Sequence, residues 1–335
     1  AGQLWKLSGS PEEYLLFAQD YRPYEFDLKG YGTTFPHRFG DPDNSSLYTQ
    51  LLASPVGDEL LLDFTKALIE QEKIGQDEIP DYLAVSFSGV DAINHFFGPS
   101  SLENEEVIRR LDSTLAELFE YVDQSVGLDN TLVVLSADHG MADMPEYMNE
   151  LNYSAARLDP LKIIAFVSEL GTALGEEEIV RYFYRPYLYL NEEMIAAAGQ
   201  DTRAVTDSIA KKQSEYPGVQ LAVTADQARA MGTPLARQIL NNYHPERSGD
   251  VYLAQEPYWF VFDGGPIPAM HGSPWRYDTH VPIIVSGPGI SNGLVHRQVQ
   301  PADIAPTLSA ILGISPPAAS AGSVLIEAID LAGRQ

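Results

Sequence analysis

Apolar residues fall into a few distinct rhythms along this chain. Leu60–Glu72 carries Leu61, Phe64 and Leu68 at helical spacing, which predicts a helix with one apolar stripe. Tyr82-Leu83-Ala84-Val85-Ser86-Phe87 is a short apolar run and predicts a buried strand. Ser100 and Glu103 stand at capping-box spacing, and Val107, Leu111, Leu115, Leu118 and Val122 follow on one helical face. Gly127 suits the end of that helix. Thr131-Leu132-Val133-Val134-Leu135 predicts a second buried strand. Strands joined by a helix imply a parallel sheet with right-handed crossover.

The pattern changes on either side of this unit. Ala1 to about Asp58 is rich in Tyr, Pro, Gly and Phe and reads as irregular structure with short strands. Residues 156–262 read as a small α+β insertion. Its elements are a strand at Tyr187–Leu190, a helix over Glu192–Gln213, a strand at Val219–Val223, a short helix at Ala225–Met231 and a long strand at Val251–Phe262. Strand-then-helix patterning resumes after it, with a strand at Val281–Val285 and a helix over Asp303–Leu312. The expected architecture is α/β: a mainly parallel central sheet flanked by helices, built from residues 1–155 and 263–335, plus the insertion.

A length of 335 residues suits that arrangement. No stretch approaches the roughly 18 apolar residues of a membrane span. Ala1–Ser10 lacks the basic and apolar regions of a secretory signal. The chain therefore reads as mature, or as beginning downstream of its original start. A net charge of −26 argues against nucleic acid as a partner and accounts for a soluble acidic surface. The absence of cysteine excludes thiolate metal sites, disulfides and a cysteine nucleophile.

Against this background the placement of histidines carries the chemistry. Asp91 and His95 follow the first predicted strand; Asp138, His139 and Gly140 follow the second. In open parallel sheets, ligands bind beyond the carboxyl ends of the strands. Two strand ends that each deliver a carboxylate and an imidazole suit zinc or a similar divalent ion. A third cluster runs from His271 to His280, just before the third core strand. Singly, each feature has an ordinary reading. Asp91 and His95 could be a surface ion pair, Asp138-His139-Gly140 a turn, and His271 a loop residue. Their joint order beside strands is harder to obtain by chance.

The runs Tyr82–Ser88 with Asp91 and His95, Ser136-Ala137-Asp138-His139-Gly140, and His271-Gly272-Ser273 with Tyr277-Asp278 and Val281-Pro282 resemble the alkaline phosphatase superfamily. The branch they most resemble is that of the PafA-type bacterial phosphatases and the nucleotide pyrophosphatase/phosphodiesterases. Asp303-Ile304-Ala305-Pro306-Thr307-Leu308 is similar to that family's C-terminal helix. The resemblance implies two zinc ions. Asp91, His95 and His271 resemble the ligands of one, and Asp138 and His139 two ligands of the other. His271 is preferred to His280 because the family's ligand is the His of a His-Gly pair. The resemblance also implies a small phosphoester substrate and a periplasmic or secreted location.

The family also uses a further Asp on the second zinc, a Thr or Ser nucleophile, and an Asn and a Lys-x-Arg pair for the phosphoryl oxygens. All lie N-terminal to the matched portion. Gly32-Thr33-Thr34-Phe35-Pro36-His37 superficially echoes a nucleophile loop. It lacks the preceding apolar strand and the following helix, and reads as irregular. The expected function is two-zinc phosphomonoester hydrolysis through a Thr/Ser phospho-enzyme, with nucleophile and remaining ligands supplied by an N-terminal segment outside this chain. The alternatives are a phosphodiesterase with the same metals or a non-catalytic metal-binding relative.

Overall fold

The structure is a computed structural model that describes residues 2–41, 45–173, 179–261, 267–290 and 292–329. Strands β1 (Leu4–Trp5) and β2 (His37–Arg38) pair antiparallel and anchor the N-terminal stretch. That stretch is irregular but packed. Trp5, Leu28, Tyr31 and Phe39 are buried in one cluster with Ile93, Phe97 and Val107. Thr33 and Thr34 lie in its bends, with no helix following.

Helix α1 (Ser46–Leu52) precedes α2 (Pro55–Glu72). Both extend into a region read as irregular. Ser54 is extended and Pro55 occupies the first turn, where a missing N–H costs nothing. The buried stripe of α2 is Leu62, Thr65 and Ile69, while Phe64 is 63% exposed. The expected stripe is thus one residue out of phase. Leu60, Leu61, Leu62 and Phe64 are all apolar, so spacing alone could not choose between the phases.

Tyr82–Phe87 is not a strand. Its residues alternate between half-buried and exposed, with Tyr82 78% exposed. A strand needs a ladder partner, and the run has none among the described residues. It leads into α3 (Gly89–Phe97) and α4 (Leu102–Ser125). The cap of α4 is Ser101 rather than Ser100: Ser101 Oγ accepts from the Asn104 amide at 3.1 Å. Glu103 consequently points inward, 3.0 Å from His37 Nε2, and both side chains are fully buried. Gly127, at φ 90°, turns the chain out of α4.

Strand β3 (Val133–Ser136) and helix α5 (Pro145–Glu150) complete the first half of the core. The next unit opens with β4 (Arg157–Leu158) and α6 (Pro160–Ala173). It continues with β5 (Val180–Tyr184), β6 (Tyr187–Leu190), α7 (Glu192–Ala197) and α8 (Thr202–Gln213). The single helix expected over Glu192–Gln213 is therefore two. Gly199 adopts φ 70°, and Asp201 starts a new helix by accepting from the Arg203 amide at 3.0 Å. β7 (Val219–Val223) and α9 (Ala225–Met231) lie where expected, followed by α10 (Pro234–Asn241). The expected long strand divides into β8 (Val251–Gln255) and β9 (Phe260–Val261), and Phe262 lies outside the described residues. Pro257 and the left-handed Tyr258 (φ 64°) separate them.

β5, β6, β8 and β7 form an antiparallel sheet in that order. Alternation sorts its faces. Leu188, Val219, Ala222, Val251 and Leu253 join one core with α6 and α8; Tyr187, Val223, Tyr252 and Ala254 join another with α9 and α10. The chain then returns through α11 (Arg276–Thr279) to β10 (Ile283–Ser286) and α12 (Ile304–Leu312). β10 pairs with β3 antiparallel, Ile283 opposite Ser136 and Ser286 opposite Val133. The parallel relation expected of core strands does not hold for this ladder. The crossover rule governs strands linked by one helix, whereas β3 and β10 are separated by the whole 156–262 excursion.

Candidate metal centre

The site is built on the start of α3. Asp58, buried on α2, accepts the amides of Ser88 and Gly89 at 3.1 and 3.2 Å through Oδ1. This satisfies two of the N–H groups that a helix start leaves open. One turn apart on α3, Asp91 Oδ2 and His95 Nε2 lie 3.5 Å from each other. His95 Nδ1 donates to the Ala269 carbonyl at 2.8 Å, and the Ala269 amide donates to the His95 carbonyl at 3.3 Å. That exchange sets the His95 tautomer and holds the segment that carries His271 against α3. His271 Nε2 lies 3.6 Å from Asp91 Oδ1.

Beyond β3, the Gly140 amide donates to the Asp278 carbonyl at 2.8 Å. A Cβ at Gly140 would fall 2.1 Å from the Tyr277 carbonyl oxygen, so only glycine permits this approach. Asp278 in turn accepts the Ser273 amide at 2.7 Å. These contacts bring the two loops together, and the His139 ring stacks on His271 with centroids 3.4 Å apart and planes at 15°.

Of the expected site residues, Asp91, His95 and His271 each offer a donor atom within 4.8 Å of the others. Among the described residues they are the group of three so placed. His139 joins them through the stack, while Asp138 is 87% exposed and lies 3.4 Å from His139 Nε2. His280 is exposed at the end of α11 and outside the group. Asp58 and the Ala269 carbonyl, which hold the site together, carry no sequence signal of their own. A buried Asp on a helix and a loop carbonyl acquire roles only through what they face.

The electrostatics fit a cation. Asp91 Oδ1 is buried without a hydrogen-bond partner, an orphan acceptor of the kind a metal satisfies. Burial would raise Asp91, but the His95 hydrogen bond and the surrounding imidazoles hold it below the usual carboxylate range. Burial, then His139, pushes His271 down to about 4, so its ring is neutral and able to ligate at neutral pH. The second nitrogen of His95 is committed to a backbone carbonyl, as metal-binding imidazoles commonly are. One carboxylate and two imidazoles make a donor set suited to zinc.

With this geometry in view, residues 11–274 match the model of the type I phosphodiesterase/nucleotide pyrophosphatase family. The chain belongs to that family. A protein of Myroides odoratus named calcium-transporting ATPase is 33% identical over 98% of this chain and 61% of its own length. The alkaline phosphatase PhoV of Synechococcus elongatus is 32% identical over 97% of this chain and 59% of its own length. The crystal structure of the alkaline phosphatase PafA superposes with a TM-score of 0.90 at 26% identity, covering 98% of this chain and 63% of that one. The fold is thus α/β of the alkaline phosphatase kind, helices around a central sheet. The chain spans about three-fifths of the length of the relatives it matches.

Proposed function

We propose that the chain is the metal-binding portion of a two-zinc phosphoester hydrolase that acts on small phosphomonoesters through a Thr or Ser phospho-enzyme. The observation that carries this reading is the convergence of Asp91, His95 and His271 around the orphan Asp91 Oδ1. When bound, a pair of zinc ions would supply Lewis-acid stabilisation of the attacking and leaving oxygens. The chain's own residues hold and aim. Asp91, His95 and His271 would hold one ion, and Asp138 and His139 would contribute to the second. Asp58 and Ala269 fix α3 and His95 in register.

The nucleophile and the remaining second-site ligand are assigned to a further segment of the same protein. The half-exposed, ladderless run Tyr82–Phe87 supports this, since its apolar side chains would pair and be covered in a wider sheet. Residues 156–262 are proposed as an insertion that borders the site without ligating metal. Location in the periplasm or outside the cell follows from the family resemblance. No helix among the described residues is long and apolar enough to cross a membrane.

A second reading, a phosphodiesterase using the same metals, is favoured by the phosphodiesterase/nucleotide pyrophosphatase family match. Assay of the longer protein with p-nitrophenyl phosphate and bis-p-nitrophenyl phosphate separates the two. Chelator-sensitive monoester turnover, lost in His95→Ala, is expected. A diester preference would favour the second reading, and activity indifferent to chelator would defeat both.

A further inference from the structure

Tyr258 stands in a backbone conformation that favours glycine. Glu256-Pro257-Tyr258-Trp259 form a tight turn between β8 and β9, closed by the Trp259 amide on the Glu256 carbonyl at 3.0 Å. Proline in second place and a positive φ in third fit a type II turn, whose third residue is usually glycine. Tyr258 fills that place at φ 64°. A bulky residue there is strained, and such a placement lasts only where its surroundings impose it. Tyr277 imposes it. The Tyr258 amide donates to the Tyr277 hydroxyl at 3.1 Å, and the two rings stack with centroids 5.0 Å apart and planes at 28°. Alongside, the Trp275 indole N–H donates to the Gln255 carbonyl at the end of β8, at 2.9 Å. Two aromatic side chains from the 271–280 loop therefore grip one connection of the 156–262 unit.

The same short stretch holds both ligand loops by other atoms. The Tyr277 carbonyl packs against Gly140, the neighbour of His139. The Asp278 carbonyl accepts the Gly140 amide at 2.8 Å, and the Asp278 carboxylate accepts the amide of Ser273, two residues past His271, at 2.7 Å. Around α11, then, the rings of Trp275 and Tyr277 face the 156–262 unit, while the main chain and Asp278 face the histidine loops. A glycine at 258 would make the turn unaided. A tyrosine there makes the turn and α11 depend on each other.

We propose that Tyr258 and Tyr277 form a latch by which the 156–262 unit fixes the spacing of His139 and His271. This rests on the two-zinc reading, in which those histidines bind adjacent ions. The unit then takes part in the metal site without supplying a ligand, and Tyr277 is a positioning residue. Linkage makes the effect reciprocal: if a closed latch favours zinc, zinc favours the closed latch by the same factor.

Two measurements test it: zinc affinity by competition with a chelator, and amide exchange at Tyr258 with and without zinc. Tyr277→Phe keeps the ring and removes the acceptor. Its zinc affinity should fall about tenfold, the lower end of what losing a support of metal ligands costs. In the wild type, saturating zinc should slow exchange of the Tyr258 amide about tenfold. In Tyr277→Phe, zinc should leave exchange over residues 255–259 unchanged. A lowered melting temperature with unchanged zinc affinity would make Tyr277 a packing residue and overturn the latch. Wild-type exchange indifferent to bound zinc would overturn it too. If the wild type binds no zinc, the two-zinc reading fails and takes the latch with it. Should Tyr277→Phe melt early, Trp275→Phe removes the neighbouring hydrogen bond, keeps an aromatic ring and is read by the same two measurements.

Discussion

Asp58 Oδ2 occupies the space where a side chain at Gly89 would begin: a Cβ there would lie 2.5 Å from it. The same carboxyl group accepts the Gly89 amide through Oδ1. Residue 89 must therefore be small, residue 58 must be an acceptor, and together they set where α3 starts. Since α3 carries Asp91 and His95, the pair positions two of the proposed metal ligands. Asp58→Ala strands two amides and should destabilise the chain by about 1–3 kcal/mol. It should also weaken zinc binding. Asp58→Asn keeps the acceptor and should retain zinc affinity within about threefold, because the burial that raises Asp58 already disfavours its charge. Zinc titration against a competing chelator decides it. Equal loss in both variants would show that charge, not acceptance, matters.

Metal content follows from the donor count. Under the proposed two-zinc reading, Asp91, His95 and His271 would supply three donors to one ion, and Asp138 and His139 two to the other. Three protein ligands suffice for a zinc site completed by water. Elemental analysis of the isolated chain should give nearer one zinc than two, and His95→Ala should remove it. Full zinc retention in that variant would refute the assignment.

Gly140→Ala probes the second pair. Its methyl would press on the Tyr277 carbonyl, which forces Asp138-His139 away from α11 at a cost of about 1–3 kcal/mol. Any second, weaker zinc should be lost before the first. Zinc binding by Gly140→Ala that matches the wild type at both sites would contradict this.

The pH dependence of stability should reflect a buried cluster of His37, Glu103 and Glu25. His37 Nδ1 faces the Tyr31 carbonyl at 3.3 Å and so carries a proton, which leaves Nε2 to accept from a protonated Glu103. Burial holds Glu103 above the usual carboxylate range and His37 down at about 4. Glu25 has two buried oxygens without partners and is raised to about 9 by burial and by Glu103. For the two carboxyls, the folded state keeps protons that the unfolded chain sheds. Their contribution is full below 4.5 and is lost as pH climbs towards 9. His37 acts in the opposite sense: its contribution is full above 6.5 and is lost as pH falls towards 4. In chelator, melting temperature should peak near pH 5–6 and decline from 6.5 to 9. Glu25→Gln should flatten that decline. A flat or rising wild-type profile over the same range would reject it.

The isolated chain should not turn over p-nitrophenyl phosphate at ordinary enzyme rates, roughly 1 per second or more. Thr33 and Thr34 lie in an irregular, packed segment, without the strand–loop–helix setting that aims a nucleophile. Chelator-sensitive turnover at such rates would place the nucleophile within these residues, and Thr33→Ala and Thr34→Ala would locate it.

Much of the site was legible in the sequence because ligand chemistry resides in residue types. Asp91 with His95, Asp138 with His139, and the His271-Gly272 pair are recognisable in order, whatever their coordinates. Local punctuation was legible too: β7 and α9 fall where Val219–Val223 and Ala225–Met231 indicated, because turn and cap residues act on their immediate neighbours. Less was available where neighbours are distant. The phase of α2 depended on which of several adjacent apolar residues found a partner. The direction of β10 depended on a return path of more than a hundred residues. Tyr82–Phe87 has strand composition but no strand, because a ladder requires a second chain segment alongside.

The sequence by itself determined the donor types, their order and the four-residue spacing of Asp91 and His95. Only the tertiary structure decided that Asp58 caps their helix and that the Ala269 carbonyl fixes His95. Ligand identity is a property of single residues. Convergence depends on long-range packing, in which a carbonyl at Ala269 or a glycine at 140 matters only through what lies across from it.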